Sequence, residues 1–226
     1  MKKSAKLSIP AKPTTQRVLA RLILGDDFIS PQEIADASGN RIKYNEEQLQ
    51  RYKNTIPSEE ILLCCRDQGY LLIPGPPCSM PLHGIQQLYP EAFYRNLWKK
   101  ANDKKTKEWY EHEGQNFFSK DAVNPGWIVI SKGIIPESLN KSWFEQPEIL
   151  SCRERIANGA ESAWAFLNYR AIRDETLFSE AQVRTSSTSG KMNWPVMVGY
   201  YGGLLHFTCH WPGLRTDYIG IMSVKE

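Results

Sequence analysis

Four stretches of this chain combine residue types that can do chemistry. Ser138 and Lys141 stand three apart. On a helix that spacing puts both on one face, where a neutral lysine can activate the hydroxyl, as in penicillin-binding serine acylases. The Lys-Thr-Gly and Ser-Asp-Asn partners of that machinery are absent, so two fixed positions do not carry an acylase. Cys78 lies in a proline-rich loop with His83 five residues on, a thiol and a base. No asparagine or aspartate identifies itself as the group that would orient the imidazole. His206, Cys209 and His210 suggest a metal. On a strand, however, the two histidines lie about 13 Å apart and Cys209 points to the opposite face. Further ligands would have to come from His83 or His112, and Glu111-His112-Glu113 reads as a solvated helix end. The sequence therefore predicts no catalytic residue, no metal site and no cofactor.

Binding residues are easier to name. Arg184 and Ser186 fall at the end of one expected strand, and Arg215 follows the Pro212-Gly213 turn. Trp194, Tyr200, Tyr201, His206 and Trp211 surround them. Arginine interleaved with aromatics can stack bases or grip an acidic ligand, although cross-strand aromatic pairs also serve sheet stability alone. The candidate site is Arg184, Ser186, Trp194, His206 and Arg215.

Nucleic acid is the alternative partner. The first 25 residues hold Lys2, Lys3, Lys6, Lys12, Arg17 and Arg21 and no acid, an arm able to neutralise phosphates. With Pro10 and Pro13 in it, residues 1–16 also read as a flexible basic tail. Glu33-Ile34-Ala35 followed by Gly39 resembles a helix-turn-helix. The span from Gly39 to Asn45 exceeds the usual turn, and the second helix sets only Arg51 and Lys53 against Glu46 and Glu47.

The elements that must position these residues follow from caps and periodicity. Ser30-Pro31 with Glu33, and Asn45 with Gln48, are capping boxes; a third helix starts near Ser58 and stops at Gly69. Tyr70–Ile73 and Trp127–Ile130 read as strands. Glu91 to about Glu113 reads as a longer helix whose lysine-rich middle, Lys99 to Lys107, faces water. Another helix is expected around Ser142–Leu150, interrupted or started afresh at Pro147. A stronger one runs from Gly159 to about Thr176, with Ala160, Ala163, Trp164, Leu167 and Ala171 on one stripe. The last 45 residues carry four strands, near Gln182–Ser186, Pro195–Tyr200, Leu204–Trp211 and Tyr218–Val224. Their short connections predict an antiparallel meander.

Composition sets the bounds. The 226 residues are 41% apolar and 23% charged, with net charge +3: enough apolar material for a core, and too little charge bias to name a polyanionic partner. No apolar run approaches the roughly 18 residues of a membrane span, and no secretory signal follows the N-terminal lysines. Five cysteines, an odd count without framework spacing, read as reduced thiols. The expectation is a soluble, cytoplasmic α+β protein: a tail at 1–16, a mainly helical part at 17–125, and a part at 126–226 with helices packed on the C-terminal sheet. Asp27 to Ile34, Gly75-Pro76-Pro77, Lys141 to Gln146 and Val183 to Ser186 are similar to stretches in an uncharacterised family of bacterial hypothetical proteins. The resemblance covers most of the chain from about Arg17 onward. It implies a bacterial origin and transfers no activity. The leading functional expectation is a non-catalytic binding or regulatory protein, with nucleic-acid binding and an enzyme of unrecognised type as alternatives.

Overall fold

Local signals place the first helices. In the computed structural model, which describes residues 15–94, 108–111, 115–178, 181–190 and 192–226, α1 spans Gln16–Leu24 and is capped by Thr15. Helix α2, Pro31–Ala37, begins at the Ser30/Glu33 capping box, and α3, Glu46–Asn54, at the Asn45/Gln48 box. Helix α4, Glu59–Asp67, ends before Gly69, whose positive φ turns the chain into strand β1, Tyr70–Pro74. Two-residue β2, Met80–Pro81, leads into α5, Leu82–Leu88. After 3-10 turns at Pro90–Ala92 and Trp109–Glu111 come α6, Phe117–Lys120, β3, Ala122–Val123, and β4, Trp127–Ser131. Strand β5, Glu154–Ile156, precedes α7, Gly159–Arg173. The chain finishes with β6, Gln182–Ser189, β7, Trp194–Tyr201, β8, Leu204–Cys209, β9, Ile219–Ile221, and β10, Ser223–Lys225.

This is an α+β fold, with two four-stranded sheets and one two-stranded pair among the described residues. The first sheet has the order β1-β4-β10-β5, all antiparallel; the second large sheet has the order β8-β7-β6-β9. Strand β1, at the edge of this sheet beside β4, comes from the helical part, and the other three strands come from beyond residue 125. It is buried on both faces because it divides two cores. Leu71 and Ile73, with Ile128 and Ile130 opposite them, face the main core. Tyr70 and Leu72, with Trp127 and Val129, face a smaller core closed by Ala20 and Leu24 of α1 and Leu62 and Cys65 of α4.

Helix α7 joins the two large sheets. Eleven consecutive residues, Gly159 to Tyr169, are buried, so the single stripe expected from the sequence is a helix enclosed on every side along its first three turns. The Trp164 indole N–H donates to the Pro74 carbonyl at the end of β1 (2.9 Å), and the Tyr200 hydroxyl on β7 donates to the Phe166 carbonyl (3.1 Å). Ala160, Ala163 and Ala165 keep the helix narrow enough for neighbours on both sides.

Four expectations need correction. Strands β6, β7 and β8 form the meander, but the fourth strand does not extend it: β9 lies beside β6 and runs parallel to it. The connection from β8 is long enough to carry the chain back across the sheet. Met222 then separates β9 from β10, which enters the other sheet. No helix starts at Glu91; Pro90–Ala92 is one 3-10 turn, and Phe93 is extended and bridges Leu205. The lysine-rich stretch of that expected helix lies outside the described residues. Around Ser142–Leu150 only Gln146–Ile149 is helical, as a 3-10 turn, since Pro147 removes an amide donor. Finally, Arg17 and Arg21 belong to α1 rather than to a free arm. Arg21 pairs with Glu33 at 2.5 Å, and Arg17 donates to the Ser30 hydroxyl. Residues 1–14 lie outside the described residues. Among the described residues no helix is long and apolar enough to cross a membrane.

Candidate functional site

The start of α2 is fixed by more than its cap. The Glu33 carboxylate accepts from the Ser30 amide and hydroxyl, both at 2.8 Å, and meets Arg21 of α1 and Arg173 of α7. Burial alone would raise its pKa. The Ser30 donors and the two guanidiniums outweigh that and hold it below the ordinary carboxylate value. Helix α3 is anchored differently. Its Tyr52 ring is buried, and the hydroxyl donates to the Gly75 carbonyl at 2.8 Å while accepting from the Gly126 amide at 2.9 Å. Burial raises the pKa of this phenol, against the pull of the Gly126 amide, so the proton needed for the Gly75 bond stays in place. The Tyr52 carbonyl accepts the Trp127 indole N–H at 2.9 Å.

Residues 38–45 separate α2 from α3, and a groove of about 780 Å³ opens between them. Its floor is aromatic: Trp127 lies 5.5 Å from Phe28, tilted by 34°, and 5.3 Å edge-on from Tyr52. Ile56 and Leu49 add apolar wall, and Leu49 is 39% exposed. The rim carries Arg17 and Lys53 against Glu46 and Glu47, with Gln32 and Gln50 between them. Two positive and two negative charges cancel. The Ser30 hydroxyl, also at the groove, donates to a carboxylate held ionised by two arginines, an arrangement that fixes a helix end and leaves no free base beside the oxygen.

The five residues named from the sequence are dispersed. Arg184 is 1% exposed, with its guanidinium turned inward. It donates to the Lys141 carbonyl and the Gln146 side-chain oxygen, each at 3.0 Å, and to the Leu214 carbonyl at 2.5 Å. Its Nε has no partner among the described residues, and burial lowers its pKa. Arg215 stands above the same loops, exposed and paired with Glu145 at 2.8 Å. These two arginines therefore share one region. Ser186 is exposed on a separate polar pocket of about 280 Å³, with Asp121, Thr188 and Asn193. Trp194 is half-buried opposite Ser189 at the start of β7. His206 is half-buried, 5.1 Å from the Tyr94 ring and 6.0 Å from Tyr201. Burial lowers its pKa despite Glu108, and its Nδ1 has no partner among the described residues.

The reactive pairs also take structural roles or stand apart. The Ser138 hydroxyl donates to the Ile135 carbonyl at 2.6 Å and accepts from the Ile221 amide at 3.0 Å, bracing β9 from beside it. Cys78 is exposed, and the ring neighbour of His83 is Phe118. His206 and Cys209 alternate along β8, and His210 follows its end. Among the described residues no three His, Cys, Asp or Glu side chains gather as a metal would require; His112 lies outside them.

Sequence reasoning missed the groove. The run Trp127–Ile130 reads as a strand without showing its two faces, and its alternation sends Trp127 and Val129 to the α1–α4 side. The usable signal was a helix as polar as α3 holding one outward leucine, Leu49. Comparison with protein-family models, curated proteins and solved structures gave no match.

Proposed function

We propose that this chain is a non-catalytic binding protein of the bacterial cytoplasm that takes an apolar helical segment of a partner protein in the α2–α3 groove. The observation that carries the reading is the groove itself: apolar and aromatic below, polar and charge-neutral above, and walled by helices. Such a cleft accepts the apolar face of an amphipathic helix, with anchors at i, i+3 or i+4 and i+7. It offers a polyanion no net positive charge, so counterion release supplies nothing there.

A display library of helical peptides, selected on the full-length protein and counter-selected on Leu49→Glu, tests it. Leu49 is exposed enough for the substitution to leave the fold intact. The expected result is enrichment of peptides with apolar residues at helical spacing, bound at least about tenfold more weakly by the variant. No enrichment, or enrichment indifferent to Leu49→Glu, would overturn the reading.

A further inference from the structure

Two loops over the Arg184 side of the second large sheet are tied to each other at three points. The Asn140 amide donates to the Thr216 carbonyl and the Trp143 amide to the Pro212 carbonyl, each at 2.8 Å, and Arg215 pairs with Glu145. From beneath, the buried Arg184 guanidinium holds both loops at once, through Lys141 and Gln146 on one side and Leu214 on the other. A surface fastened in this way loses little freedom when something docks on it.

That surface displays large apolar rings. Phe144 is 69% exposed and Trp211 62%; Tyr218, two residues past Thr216, is 50% exposed. The Trp211 indole lies on Gly213, where a Cβ would come within 2.4 Å of the ring. One indole face is thus occupied by the chain's own backbone, and the ring is held in place while remaining exposed.

We infer that the face carrying Phe144 and Trp211 is the interface of a symmetric dimer of this chain. Charge selects the occupant. Lys141 and Arg215 stand with Glu145 and Asp217, two of each sign. A two-fold axis can bring each sign against its opposite, whereas a strongly acidic or basic partner gains nothing. Area agrees. At roughly 150–250 Å² per aromatic side chain, the exposed parts of Phe144 and Trp211 amount to about 280 Å². A standard interface covers about 800 Å² on each partner, of which some 56–65% is apolar. The rings supply most of that apolar share.

Sedimentation equilibrium of the full chain over about two decades of concentration tests the inference. A concentration-dependent dimer is expected. Trp211→Glu and Phe144→Glu, both at exposed positions, should each raise the dissociation constant at least about tenfold with an unchanged circular dichroism spectrum. Gly213→Ala should weaken the dimer as well by displacing the indole. Leu49→Glu should leave it unchanged, which separates this interface from the groove. A chain monomeric at every concentration, or a dimer indifferent to Trp211→Glu and Phe144→Glu, overturns the inference.

Discussion

The guanidinium of Arg184 donates to the side-chain oxygen of Gln146 at 3.0 Å, and among the described residues no carboxylate pairs with it. A buried cation without a counter-ion costs several kcal/mol unless its donors are satisfied. Here three oxygens accept from its two Nη groups while Nε stays without a partner among the described residues, so the charge is held by dipoles from two loops. Replacing Arg184 by alanine strands three acceptors and opens a void. We expect a loss of about 3 kcal/mol in chemical denaturation. Amide exchange should quicken at Asn140 and Trp143, whose hydrogen bonds join the two loops. Exchange at those amides equal to wild type would show that the loops stand without the arginine.

Glu33 ties α1, α2 and α7 together as an ionised carboxylate. Its folded pKa lies below the ordinary 4.5. The stability it contributes is therefore fully present above that value and is lost as the pH falls through the folded value. Glu33→Gln should cost about 1–2 kcal/mol at neutral pH, and the difference from wild type should shrink in acid. A pH-independent difference would assign the effect to shape rather than charge.

His206 titrates in a different window. Burial places its folded pKa below 6.5, so the neutral imidazole belongs to the folded state. The associated stability is complete above pH 6.5 and declines as the pH falls below it. His206→Phe keeps a ring against Tyr94 and Tyr201 and removes the titration. Its melting temperature should fall less than that of wild type between neutral pH and about pH 5; parallel melting curves for the two proteins would count against this account.

Trp164 joins α7 to the end of β1 through one indole hydrogen bond in a fully buried position. Trp164→Phe leaves the Pro74 carbonyl short of a donor and a gap where the second ring stood. A loss of about 2–3 kcal/mol in urea denaturation is expected, with α7 still helical by circular dichroism.

What the sequence made legible was short-range. The Ser30/Glu33 and Asn45/Gln48 boxes formed as read because cap and acceptor are three residues apart. Gly69 ended α4 because its backbone takes a positive φ. What the sequence left out depends on distant partners. The Arg184 acceptors stand 43, 38 and 30 residues away, so nothing beside Arg184 distinguishes a buried clasp from a surface binding residue. The parallel placement of β9 was hidden for the same reason: short strands suggest hairpins until a loop is seen to cross the sheet. Helix α1 was obscured by charge, since its two arginines read as part of a basic arm while their partners Ser30 and Glu33 form the capping box of α2.

Met222 alone separates strands of two different sheets. Strand β10 lies inside the first sheet, between β4 and β5, while β9, one residue earlier, closes the edge of the second. Because β10 follows β1, β4 and β5 in the chain, the first sheet waits without an inner strand until synthesis has passed β9. The β9–β10 stretch thus fastens both sheets at once, like a zip, and peeling it away should release them together.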